Sequence, residues 1–190
     1  SVPFAITGLD GIISEDTTWV VSESPYTVTG HITVSSGVTL TIEPGVTVKF
    51  DSGKSLIVDG TLIARGDSSN EVTFTSSAAS PSAGDWGYIK FEDSSTDATF
   101  DSNGDYVSGS IFEYATIEYG GGLSKPAVWA DSSAPFFNYA TVRNNAYTGI
   151  SSVNRITNST ITNNGGGIGI SSRDGGSALV TNNTITNNSG

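Results

Sequence analysis

"NSTITNN" (residues 158–164) returns with one letter changed as "NNTITNN" (182–188), a step of 24 residues. Such a step is too long for a hairpin and too short for a domain. It is the length of one unit in a repeat array. Walking back from that pair brings two more copies into register, giving FEYATIEY (112–119), FNYATVRN (137–144), ITNSTITN (156–163) and VTNNTITN (180–187). Phe112, Phe137, Ile156 and Val180 share the first column, and Thr116, Thr141, Thr160 and Thr184 the fifth. Ile117, Val142, Ile161 and Ile185 share the sixth, and Tyr119, Asn144, Asn163 and Asn187 close each copy. The threonine steps are 25, 19 and 24 residues, so length varies between copies and not within them. "GISS" at 149–152 and 169–172 offers a second register for the same period.

Local chemistry decides what the unit is made of. No window places apolar residues at helical spacing, and Gly, Ser, Thr, Asn and Asp interrupt every apolar run. The runs are β-branched and alternate with polar residues, as in "VTLTI", "VTVKF" and "VTFTS". Ile32, Leu40 and Val46 are followed by Leu56, Leu62 and Val72 at steps of 24, 22 and 26 residues. Three short strands per unit describe one rung of a parallel β-helix, stacked on its neighbours at about 4.8 Å. A β-sandwich also spaces its strands closely, but it gives no reason for columns to match at these steps. The expected fold is therefore all-β, a single-stranded parallel β-helix of about six rungs. Thr160 and Thr184 should face outward and Ile161 and Ile185 inward. Asparagines should sit at corners, where left-handed geometry suits them and their amides can bond the same residue on the next rung.

The organisation follows from what breaks the pattern. Residues 1–29 are off-pattern and contain Trp19, Pro25 and Tyr26, so they are expected to cap the first rung. Residues 30–190 are expected to form the coil, which continues beyond residue 190 or is truncated there. An open last rung would allow end-to-end self-association.

Composition excludes several classes. The chain of 190 residues has no cysteine and no methionine, which removes disulfides and thiolate metal sites. No apolar run is long enough to span a membrane. The net charge of −11 lies wholly in residues 1–105, with fifteen acids and four bases; residues 106–190 carry four of each. Nucleic acid and anionic lipid are thereby disfavoured as partners, as are polyanionic sugars unless calcium bridges the charges. Abundant Gly, Ser, Thr and Asn with few lysines fit an extracellular or cell-surface setting.

Residues 17–50, "TTWVVSESPYTVTGHITVSSGVTLTIEPGVTVKF", resemble the opening of right-handed parallel β-helix proteins of the pectin-lyase-like superfamily. "LIVDGTLIARGDSSNEVTFTS" (56–76) and "GDWGYIKF" (84–91) are similar to the entry module of large bacterial and archaeal surface proteins. The resemblance implies the fold and its hand. It implies little about activity, because the superfamily holds lyases, hydrolases, epimerases, tailspikes, adhesins and spacers. Its polygalacturonase-like members carry Asn-x-Asp, Asp-Asp and Gly-His-Gly, which supply paired carboxylates. Here no Asp-Asp exists, and the one histidine, His31, lies between Gly30 and Ile32. Pectate-lyase-like members use an acidic calcium cluster with an arginine base. Glu118 and Arg143 share a column on successive rungs here, where a surface ion pair is expected. No catalytic residue is assigned.

Two binding candidates remain. In "EDSSTDATFDSNGDY" (92–106), Asp101, Asn103 and Asp105 alternate as oxygen ligands around a glycine turn, like the first half of a calcium loop without its closing acid. Tyr114 and Tyr139 share a column, and Tyr119 and Trp129 belong to neighbouring rungs with Tyr88, Tyr106 and Tyr147. Rings spaced along a rigid surface could stack on sugars. Sequons at Asn158, Asn182 and Asn187 are common by chance in such a composition. The pairs Thr160/Thr162 and Thr184/Thr186 resemble ice-binding arrays, which Glu118 and Arg143 interrupt. The expected role is a structural or adhesive module that contacts a polysaccharide or cell-surface glycan. The alternative is a polysaccharide lyase or glycoside hydrolase whose site lies beyond residue 190.

Overall fold

The computed structural model describes residues 6–130, 132–170 and 178–189. The chain winds through three sheet faces in a fixed order. The first face stacks Thr17–Trp19, Thr39–Ile42, Thr61–Arg65, Ile111–Glu113, Phe136–Asn138, Arg155–Thr157 and Leu179–Thr181. The second stacks the start of Tyr26–Val34 with Thr47–Phe50, Val72–Ser76, Ala115–Glu118, Thr141–Arg143, Thr160–Thr162 and Thr184–Thr186. The third stacks the end of Tyr26–Val34 with Leu56–Val58, Ile89–Phe91, Val128–Trp129, Thr148–Val153 and Gly166–Ile170. Pairing between rungs is parallel throughout. This is a parallel β-helix, with six full rungs and two strands of a seventh among the described residues. Tyr26–Val34 runs unbroken through two faces and joins them into one 13-stranded sheet.

The columns follow the alternation of the sequence. Ile32 pairs with Leu56, Leu40 with Leu62 and Thr47 with Thr73, so the steps of 24, 22 and 26 residues are those of the coil. Inward columns run Trp19, Ile42, Ala64, Phe112, Phe137, Ile156 and Tyr26, Val48, Phe74, Ile117, Val142, Ile161. All of these are buried in one core. Phe112 stacks on Phe137 at 4.9 Å, so the core carries its own aromatic ladder. The "GISS" register does not hold: Ile150 pairs with Ile168, not Ile170, which instead meets Val153 across an irregularity. The shared letters were coincidental, because inward position and not spelling fixes the register. Residues 171 and 172 of that second copy lie outside the described residues.

At the N-terminal side, Ile6–Ile13 lies parallel along the outer edge of Tyr26–Val34, with two register shifts that bend it to follow both faces. Gly30 is required there, because a Cβ would stand 2.3 Å from that of Asp10. Within the segment expected as a cap, Thr17–Trp19 and Tyr26–Val28 already pair in register with the second rung. Trp19 and Tyr26 stack at 5.0 Å and close the core at that end.

The corners of the second face have a common device. Tyr114, Tyr139, Asn158 and Asn182 precede it and Tyr119, Asn144, Asn163 and Asn187 follow it, all with φ between 45° and 63°. One left-handed residue turns the chain sharply enough to start the next face at once. On the last three described rungs the residue after the second corner is an asparagine, buried at Asn145 and Asn164 and half-buried at Asn188. Asn145 Nδ2 donates to Asn164 Oδ1 at 2.8 Å, and Asn164 Nδ2 to Asn188 Oδ1 at 3.0 Å. Turning and laddering are therefore split between neighbouring asparagines here. At the first corner one residue does both, as Asn182 Nδ2 donates to Asn158 Oδ1 at 3.3 Å.

Candidate binding cleft

The largest departure from a plain coil is the connection between the third and fourth rungs. Residues 92–110 form a hairpin, Thr99–Phe100 against Tyr106–Ser108, that folds back over the first face. Its turn is built by Asp101. One carboxylate oxygen accepts the backbone N–H groups of Asn103 and Asp105, both at 2.9 Å, and Gly104 takes φ +87°. These amides, that of Asp105 first, hold the Asp101 carboxyl below its usual range. At the base, Ala134 N–H donates to Asp97 Oδ1 at 2.8 Å, and Gly109 sits where a Cβ would meet Asp97 O at 2.0 Å.

The hairpin covers outward residues that would otherwise face water. Phe100 meets Phe136 edge-on at 5.1 Å, Tyr106 stacks on Phe136 at 6.2 Å, and Ile111 is fully buried. Arg155 pins the assembly. Its guanidinium lies 3.7 Å from the Phe100 ring centroid, and Nη2 donates to Gly104 O at 2.7 Å. Its Nε is buried without a partner among the described residues.

Between hairpin and sheet lies a cleft of about 320 Å³, lined by Arg65, Gly104, Asp105, Tyr106, Glu113, Phe136, Asn138, Arg155 and Thr157. Its floor is one outward column on four successive rungs, Arg65, Glu113, Asn138 and Thr157. These side chains are linked end to end. Arg65 pairs with Glu113 Oε2 at 2.7 Å and Asn138 Nδ2 donates to Glu113 Oε1 at 2.7 Å. Thr157 Oγ1 then donates to Asn138 Oδ1 at 2.9 Å. Burial raises the Tyr106 phenol above its usual pKa; the nearby Arg65 charge opposes this and Glu113 adds to it.

The residues singled out from the sequence do not meet at one place. Tyr114 and Tyr139 follow Glu113 and Asn138 at the corner beside this floor, with rings parallel within 2° and centroids 4.7 Å apart. Tyr119 turns the opposite corner of the second face and packs on the core. Trp129 is on the third face, edge-on to Tyr88 at 5.8 Å, with Lys90 and Lys125 ammoniums 4.8 and 4.6 Å from its ring centroid. Among the described residues no group of three or more His, Cys, Asp or Glu side chains could hold a metal ion. Asp101 and Asp105 stand at the exposed hairpin tip, and only Asp105 reaches the cleft.

Glu118 accepts Arg143 Nε at 2.9 Å and Thr75 Oγ1 at 3.0 Å, so the expected ion pair is part of an outward ladder on the second face. His31 is exposed. Thr47, Thr73, Thr116, Thr141, Thr160 and Thr184 form one continuous column, but Thr116 is buried beneath Glu71, to which it donates at 2.8 Å. Lys49, Glu118 and Arg143 occupy the column beside it. The face is not a flat hydroxyl array.

Sequence reasoning missed Tyr106, Arg155, Asn138 and Arg65 as neighbours. One signal for the cleft was present. "IF" (111–112) and "FF" (136–137) put an apolar residue on each side of the strand, which requires cover on the outer face.

A family model described as "Pectate-lyase like beta helix domain" matches residues 11–133. No curated protein and no solved structure matches the chain.

Proposed function

The chain belongs to the pectate-lyase-like β-helix domain family, and from that premise we propose that it is a non-catalytic carbohydrate-binding module of an extracellular or cell-surface protein. The observation that carries this reading is the floor of the cleft. Four hydrogen-bonding side chains, Arg65, Glu113, Asn138 and Thr157, repeat at the rung spacing over about 14 Å. That spacing is close to the advance of an extended glycan per sugar, so a chain lying along the coil axis meets a polar partner at each residue. Tyr106 on the hairpin and Phe136 on the sheet give the cleft the apolar surface that sugar rings seek.

Binding is favoured over catalysis by how Glu113, the carboxylate on the cleft floor, is used. Both oxygens of Glu113 are committed, one to Arg65 and one to Asn138. A group so held is fixed as an acceptor and is poorly placed to deliver a proton to a leaving group. The stiffness of the stacked rungs suits a module that presents a surface at a distance.

The test is calorimetric titration with cellohexaose, xylohexaose and hexagalacturonate. Binding of one or more, weakened by Asn138→Ala with the thermal midpoint unchanged, supports the cleft. Absence of binding to all three removes the reading. Release of shortened or unsaturated products from any of them would replace it with the enzymatic one.

A further inference from the structure

We infer that the Tyr114–Tyr139 stack ends in a sugar platform, so that the cleft extends into a subsite for a neutral, β-linked pyranose. This rests on the cleft being a glycan site. The first observation is backbone conformation. Tyr114 and Tyr139 hold φ of 45° and 49°, a region that a bulky side chain rarely adopts. The same column places Asn158 and Asn182 on the next two rungs at φ 53° and 57°, and asparagine accepts this geometry readily. Two aromatic residues thus stand where the coil itself calls for asparagine.

The second observation is where the stack stops. Tyr114 covers one face of Tyr139, and the next residue in the column is the short Asn158, whose amide is drawn away to Asn138 Oδ1 at 3.0 Å. The far face of Tyr139 has no ring or cation against it among the described residues, and the residue is 45% exposed. A flat ring placed there would become the third member of the ladder. It would lie beside Asn138 and Thr157, the last two side chains of the cleft floor.

The chemistry of that guest is constrained. An electron-rich phenol face attracts C–H groups and not acceptor oxygens. A pyranose with equatorial substituents presents such a face through its axial hydrogens. The platform itself contains no cation, and the two arginines of the adjoining cleft are matched by Glu113 and Asp105, so no net positive charge awaits an acidic sugar. A neutral β-linked glycan of the cellulose or xylan type fits, and a polyuronate does not.

The experiment titrates cellohexaose and hexagalacturonate into the full chain and into four variants. Cellohexaose should bind, with hexagalacturonate weaker by about tenfold or more. Tyr139→Asn should weaken cellohexaose by about tenfold or more, and Tyr114→Asn by less, because Tyr139 is the more exposed ring and stands next to Asn138 and Thr157 at the end of the cleft floor. Both should keep their thermal midpoints, since asparagine already turns this corner on later rungs. Asn158→Tyr fills the space with a third ring and should abolish binding in a folded protein, which serves if Tyr139→Asn fails to fold. Full cellohexaose affinity in Tyr139→Asn or Asn158→Tyr, with loss in Asn138→Ala, would overturn the platform and leave the cleft standing. Stronger binding of hexagalacturonate would overturn the neutral ligand class. No binding in the wild-type chain would overturn both readings.

Discussion

Arg155 lies with its guanidinium carbon 3.7 Å from the centre of the Phe100 ring, and through that contact the sixth rung holds a hairpin that leaves the coil at the third. The same guanidinium donates to Gly104 O at 2.7 Å. Stacking and a charge-assisted hydrogen bond together make the hairpin a fixed wall of the cleft. Arg155→Ala should therefore cost about 1–3 kcal/mol. Amide exchange at residues 99–108 should accelerate while the rung amides stay protected, because the loss is local. Unchanged exchange at residues 99–108 in the variant would show that the hairpin stands without this clasp.

The buried asparagine ladder should be the most sensitive polar element. Asn164 is 2% exposed, its amide donates to Val142 O and Asn188 Oδ1, and its oxygen accepts from Asn145. Asn164→Ala strands several of these partners away from water and should cost about 2–4 kcal/mol. Urea unfolding gives the value. A loss below about 1 kcal/mol would mean that water replaces the amide.

Trp86 plugs the corner between the second and third faces. It stacks on Phe50 at 4.4 Å and donates Nε1–H to Glu118 O at 2.9 Å. Gly120 must be glycine beneath it, since a Cβ there would stand 2.8 Å from the indole. Trp86→Ala should cost about 3–5 kcal/mol and Gly120→Ala about 1–3 kcal/mol, read as falls in the unfolding midpoint.

Alkaline pH should weaken the N-terminal rung. Burial, and then donation of its proton to Glu23, raise the Tyr26 phenol to about 12 from 10.0. The folded chain therefore holds this proton more tightly than the unfolded chain. Its stabilising effect is complete below pH about 10 and disappears as pH rises through about 12. Urea midpoints across that window should fall for the wild type and fall less for Tyr26→Phe.

Calcium should have no effect on the hairpin. One oxygen of Asp101 is already taken by two turn amides, and Asp105 is the only other acid of the expected ligand set. Calcium added to the chelator-treated chain should leave the thermal midpoint unchanged. A rise that Asp101→Ala/Asp105→Ala abolishes would restore the calcium loop. Acid should act on the same turn. Because the folded chain holds Asp101 below its ordinary range, the support it gives the turn is present at neutral pH and fades as pH falls through the carboxylate range.

The sequence alone determined the coil. Alternating β-branched residues and matched columns such as Thr116, Thr141, Thr160 and Thr184 encode a rung, because each rung meets only its neighbours and the pattern repeats at short range. It also determined the Glu118–Arg143 pair and the left-handed corner asparagines, both of which follow from column position. The cleft was decided by the tertiary structure. Arg155 and Gly104 are 51 residues apart, and the insertion that carries Gly104 has no counterpart among the described residues of the other rungs, so no period could predict its direction. What sends the hairpin back over the first face is the apolar area of Ile111 and Phe136, which is lowered in free energy only when Phe100 and Tyr106 cover it. A repeat fixes neighbours by symmetry; the wall of a site is fixed by whichever distant side chains exclude water from its exceptions.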